Sequence, residues 1–144
     1  MRSTSLQPLG AAQHLQAVAA EVAHLAADLV REAAGQARAM GTKSSPTDVV
    51  TSTDLQSERL IRHELTARCP GSTIIGEEFD EATGSNSVGW IVDPIDGTVN
   101  FLYTIPIVSV SIAATVGGET VAGAVVDVMN RETFSAARQG CSST

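Results

Sequence analysis

The sequence predicts an α+β fold in which two N-terminal helices pack on a largely antiparallel sheet. Three observations predict it. Apolar residues recur at the helical period from Leu15 to Ala33. A second helical stretch follows a polar segment and carries Leu60, Ile61 and Leu65 on its apolar side. Beyond it lie short apolar runs and a long period-2 alternation. Helices in front and strands behind bury their apolar faces against each other as two layers.

Residues 1–10 read as a loose, flexible N-terminus, and residues 11–144 as the folded domain. In the first helix Leu15, Val18, Ala19, Val22, Leu25, Ala26, Leu29, Val30 and Ala33 form the apolar stripe. Glu21, His24, Asp28, Arg31 and Glu32 fall on the other side, and the helix is expected to end near Gly41. "GTKSSPTDVVTSTD" reads as a loop with one short strand at Val49–Thr51. The second helix is expected to start at Thr53 or Asp54, with Thr53 and Gln56 as a capping box, and to stop at "CPG", Cys69 to Gly71.

"TIIGEEF" reads as a short strand running into acids, "EATGSNSVG" as a flexible connection, and "WIV" as a short buried strand ending at Asp93. Val108, Val110, Ile112, Ala114 and Val116 then alternate with Ser109, Ser111, Ala113 and Thr115 as a strand. Gly117-Gly118 makes a two-residue hairpin turn into "TVAGAVVDV". "MNRE" turns again into a last strand, "TFSAAR".

Composition narrows the function classes. The 144 residues are 43% hydrophobic, enough for one domain with a real core, and with 3% aromatics the filling is aliphatic. The formal net charge of -7 argues against a nucleic-acid partner held through phosphates. Cys69 and Cys141 make neither a CxxC pair nor a disulfide framework and read as reduced thiols. "MRSTSLQPLG" lacks the apolar stretch of a signal peptide, and no apolar run is long enough to span a bilayer. The expectation is a soluble cytoplasmic protein without nucleic-acid or membrane partners.

The chemistry concentrates in the acids. Asp93 and Asp96 follow a short apolar run, with Pro94 between them and Gly97 behind. Glu77 and Glu78 repeat the arrangement after another such run. If the two strands are neighbours, three or four carboxylates converge, and their repulsion is relieved by a divalent cation. Hard oxygen donors suit Mg²⁺ or Mn²⁺. Pro94 sets its own φ and lets the chain bend, so the Ile95 carbonyl can serve as a further ligand. "GTVN" can open a short helix whose first N–H groups, at Gly97 and Thr98, suit a phosphate. Acids that hold a metal beside a phosphate cradle point to metal-assisted hydrolysis of a phosphate ester.

Other motifs fail on spacing. Counted from Asp93, an EF-hand would need a side-chain oxygen ligand where Ile95 stands and a glutamate where Thr104 stands. There is no P-loop and no GxGxxG. "HELTA" has Ala67 where a zinc-protease helix needs its second histidine.

"KSSPTDVVTSTD", "GEE" and "WIVDPIDGTVNF" together resemble the inositol monophosphatase family of Mg²⁺-dependent sugar-phosphate phosphatases. The resemblance runs from the first helix to the last strand. It implies the front half of a layered α/β sugar-phosphatase fold. It implies metal ligands at Glu77, Asp93, the Ile95 carbonyl and Asp96, for two or three Mg²⁺ ions in a complete site. Glu77 and Thr98 would activate the attacking water, Asp54 would support them, and Gly97 and Thr98 would hold phosphate. Substrate would therefore touch Glu77, Ile95, Asp96, Gly97 and Thr98. Lys43 matches a loop lysine near the site, while Asp48 and Asp127 read as surface acids.

The expected substrate is a small phosphorylated polyol, inositol monophosphate, and a homodimer is the expected assembly. The family's Trp-Asp motif lies in a second half, and Trp90 is the only tryptophan here. The chain is thus expected to correspond to the family's N-terminal part, with one sheet face left partly open. Two alternatives stand beside hydrolysis of inositol monophosphate. One is a catalytically inactive fragment that acts as a metal-binding or assembly module. The other is a phosphatase for another small phosphate, such as fructose 1,6-bisphosphate or histidinol phosphate.

Overall fold

The structure is a computed structural model and describes residues 8–36, 39–42 and 49–139. Helix α1 spans Pro8–Glu32. It reaches back into the stretch expected to be loose, because proline is tolerated in a helix's first turn, where its missing N–H has no intrahelical partner. Leu15, Val18, Ala19, Val22, Ala26 and Val30 are buried, as the period requires. The helix does not run on to Gly41. Strand β1 (Ala39–Thr42) pairs antiparallel with β2 (Val49–Thr51), so a backbone ladder claims the residues that the helical reading had assigned to the helix end.

Helix α2 spans Ser52–Arg68 and starts earlier than expected. Its cap is Thr51, whose side chain accepts the Asp54 N–H while the Asp54 carboxylate accepts the Thr51 N–H. That reciprocal box displaces the expected Thr53–Gln56 pair. The helix stops at Cys69, as expected. Its buried side is not purely apolar: Asp54, Ser57 and Glu58 lie buried in line with Ile61 and Leu65, and Leu60 is half-buried.

Among the described residues the main sheet has five strands, in the order β3-β4-β5-β6-β7. They span Thr73–Ile75, Val88–Asp96, Ser109–Val116, Glu119–Asp127 and Glu132–Ala137. Only the β3–β4 pair is parallel, so the sheet is largely antiparallel, as expected. Gly117 and Gly118 turn the β5–β6 hairpin at positive φ. The connection at residues 81–87 is pinned rather than loose. Ile74 and Ala82 exchange backbone hydrogen bonds, and Ser85 and Asn86 donate to the Gly71 carbonyl.

One sheet face packs on the helices through Trp90, Val92, Val110, Ile112, Ala124 and Val126. The other face presents Ile75, Ile91, Val125 and Phe134 to solvent. β4 is therefore buried on one face rather than on both, because nothing in the described chain covers Ile91. It also continues past Asp93 to Asp96, with a register shift between those residues where Pro94 interrupts the ladder. No helix among the described residues is long and apolar enough to cross a membrane.

Candidate active site

The parallel register of β3 and β4 sets Ile75 beside Ile91. Glu77 and Asp93 each lie two residues further on and so leave the same end of the sheet. They line one cleft of about 630 Å³ together with Ser111. Asp96, beyond the bulge, is exposed and lines a second cleft of about 380 Å³ with Gly97, Asn100 and Asp127. The clefts adjoin, since Val125 and Phe134 border both.

The expected convergence is thus partial. The acids stand along one rim, because Asp93 precedes the bulge and Asp96 follows it. Among the described residues no group of three or more His, Cys, Asp or Glu side chains is close enough to hold a metal ion. The donor chemistry still fits a hard divalent cation, since Glu77, Asp93, Asp96 and the Ile95 carbonyl all offer oxygen.

Behind this rim the Asp54–Thr98 pair is assembled. Asp54 is fully buried at the start of α2. One of its oxygens, Oδ2, accepts from the Thr51 N–H at 2.9 Å and from the Thr51 hydroxyl. The other, Oδ1, accepts from the Thr98 hydroxyl at 2.8 Å. Thr98 opens a short helix α3 (Thr98–Leu102), and Gly97 before it sits in the left-handed region at φ 95°. The Ile95 carbonyl lies 3.2 Å from the same hydroxyl. A carboxylate is the stronger acceptor, so the single proton of Thr98 is directed to Asp54. The hydroxyl's lone pairs are left to accept from elsewhere.

Three residues of α2 that the sequence reading passed over touch the site segments. Ser57 donates to the Pro94 carbonyl at 2.8 Å. Glu58 accepts the backbone N–H groups of Glu78 and Phe79, and Arg62 donates to the Phe79 carbonyl. Their signal was spacing: Ser57 and Glu58 follow Asp54 by three and four residues on the stripe that also carries Ile61 and Leu65, and Arg62 follows Glu58 by four. Asp127 is a surface acid, as expected, held in a turn. It sits at the end of β6 and accepts from the Asn130 side chain and backbone, which hold its carboxyl below the usual value. Burial pushes the Cys69 thiol up, against a weaker opposing pull from Arg68. Lys43, Asp48 and Cys141 lie outside the described residues.

The model of the inositol monophosphatase family matches residues 11–144. The inositol-1-monophosphatase SuhB of Mycobacterium tuberculosis is 55% identical over 104 residues, covering 69% of this chain and 36% of that protein. Inositol monophosphatase 1 of Solanum lycopersicum is 35% identical over 130 residues, covering 88% of this chain and 47% of that protein. The crystal structure of the extragenic suppressor protein suhB from Bartonella henselae superposes with a TM-score of 0.80 at 31% identity, covering 88% of this chain and 50% of that one. The chain thus spans between a third and a half of the length of these relatives. A family match over residues 11–144 together with a shared fold leads to one conclusion: the chain belongs to the inositol monophosphatase family.

Proposed function

We propose that this chain carries the metal-binding and water-activating part of a Mg²⁺-dependent phosphomonoesterase acting on inositol monophosphate. The observation that carries the reading is the Thr98 hydroxyl committed at 2.8 Å to the fully buried Asp54, beside the acids of two parallel strands. Glu77, Asp93, the Ile95 carbonyl and Asp96 would hold the cation. When bound, it supplies positive charge for the phosphoryl oxygens and acidifies water.

The chain's own groups divide the remaining work. Asp54 accepts the hydrogen bond that the Thr98 hydroxyl donates, so the Thr98 oxygen accepts a hydrogen bond from the attacking water and fixes its direction. Glu77 takes the proton that water loses as its oxygen bonds to phosphorus. The ester P–O bond breaks, and the departing alkoxide is protonated by a second water. Gly97 and Thr98 turn the first N–H groups of α3 toward phosphate, where intrahelical bonding leaves such donors open. The substrate is a small phosphorylated polyol met in the cytoplasm, without nucleic acid or membrane.

A second reading is a metal-binding piece that does not turn over by itself. The acids strung along a rim, rather than gathered into one group among the described residues, favour it. One experiment separates the two. Phosphate release from inositol 1-phosphate is measured with and without Mg²⁺ for the chain and Asp96→Asn, alongside calorimetric Mg²⁺ titration. Mg²⁺-dependent release lost in the variant supports hydrolysis. Mg²⁺ binding lost in the variant, without release in either protein, supports the second reading. No specific Mg²⁺ binding overturns both.

A further inference from the structure

Glu58 is fully buried, although an ionised carboxylate is costly to take out of water. Its partners are specific. Oε1 accepts the Glu78 N–H at 2.8 Å, and Oε2 accepts the Phe79 N–H at 3.0 Å and Arg62 Nε at 2.9 Å. Arg62 also donates to the Phe79 carbonyl at 3.1 Å. The Phe79 peptide is therefore gripped at both its N–H and its C=O by one ion pair on α2. The Arg59 and Arg62 guanidinium groups lie 5.1 and 6.0 Å from the centre of the Phe79 ring.

Gly76 completes the fit. A Cβ at this position would stand 2.4 Å from Glu58 Oε1, so the carboxylate occupies the space a side chain would need. The gripped segment, Gly76 to Phe79, carries Glu77 in its middle. From one face of α2, Asp54 reaches Thr98, Ser57 reaches Pro94 and Glu58 reaches Glu78 and Phe79. A single helix face thus holds the segments that carry the site's acids.

We infer that Glu58 is a positioning residue: by accepting the Glu78 and Phe79 N–H groups, it sets the 76–79 segment so that Glu77 stands beside Asp93. The inference rests on the proposed role of Glu77. The charge matters because a carboxylate has acceptors for both N–H groups and Arg62 together. The amide of Glu58→Gln brings donors of its own into a place that needs only acceptors.

The test is backbone amide hydrogen exchange, with Mg²⁺ titration of the same proteins. In Glu58→Gln, exchange at Glu78 and Phe79 is expected to rise at least about ten-fold, while the β5 and β6 amides keep their protection. Mg²⁺ affinity is expected to fall several-fold. Gly76→Ala, which displaces the Glu58 carboxylate without altering α2, is expected to give the same local pattern. That variant decides the matter if Glu58→Gln does not fold. Unchanged exchange at Glu78 and Phe79 overturns the inference, as does an equal rise across the whole sheet. A local rise with unaltered Mg²⁺ affinity also overturns it, provided Glu77→Gln weakens Mg²⁺. If Glu77→Gln leaves Mg²⁺ affinity unchanged, the metal reading fails, and the exchange data alone decide whether Glu58 sets the segment.

Discussion

Thr98 and Asp54 are 44 residues apart in sequence and joined by a 2.8 Å hydrogen bond, with the carboxylate fully buried and anchored on its other oxygen by Thr51. This bond ties the start of α2 to the start of α3. It also aims the Thr98 hydroxyl behind the acidic rim.

Thr98→Val keeps the side chain's shape and removes the hydroxyl. It leaves a buried acceptor of Asp54 without that donor, so stability is expected to fall by about 1–3 kcal/mol in urea unfolding. Thr98→Ser is expected to retain stability. Where phosphate release is observed, Thr98→Val is expected to lower its rate by about 10²-fold or more, because the water loses its orienting acceptor. A Thr98→Val rate within a factor of two of the parent would remove Thr98 from the water-activating group.

Trp90 anchors the core between β4 and the helices. It is fully buried, and its Nε1 donates to Ser72 Oγ at 3.1 Å. Trp90→Ala is expected to cost about 3–5 kcal/mol through lost burial and the cavity left behind. Since Trp90 is the only tryptophan, the comparison is made by circular dichroism during urea unfolding rather than by fluorescence.

Asp127 gives a pH signature. Its carboxyl is held below the ordinary 3.8, first by the Asn130 side chain and then by the Asn130 backbone N–H. A depressed folded pKa means the ionised form stabilises the turn between β6 and β7. That contribution is complete above the unfolded value and is lost as pH falls through the depressed one. Solvent screens the group, so Asp127→Asn is expected to cost at most about 0.5 kcal/mol at pH 7. The difference should shrink as the pH is lowered from 7 to below the ordinary carboxylate value. Urea midpoints at both pH values check this, and a difference that persists in acid would assign the effect to something other than ionisation.

The open sheet face predicts binding of an apolar dye. Ile91 is 49% exposed and Phe134 59% exposed, on the face turned away from α1 and α2. Anilinonaphthalene sulfonate should fluoresce with the native chain, and Ile91→Thr/Phe134→Thr should lose most of that signal. Threonine suits strands, so the far-ultraviolet circular dichroism should stay unchanged. An undiminished signal would locate the dye elsewhere.

Local periodicity was enough for much of the fold. The stripe from Leu15 to Val30 specified α1, the alternation from Val108 to Ala114 specified β5, and Gly117-Gly118 placed the hairpin turn, because each pattern depends only on neighbours in sequence. The motifs singled out Glu77, Asp93, Asp96 and Thr98 as candidates, and the family resemblance rested on the order of those motifs along the chain. Other features depended on contacts between distant residues. Thr51 caps α2 because Asp54 can answer it from the buried side. Ala39–Thr42 became a strand because β2 offered a ladder. Asp54, Ser57 and Glu58 could be buried on α2 only because segments at 78–79, 94 and 98 bring donors and acceptors to meet them. A polar residue is stable in a core when its partner arrives from elsewhere in the chain, and the tertiary structure supplies that partner.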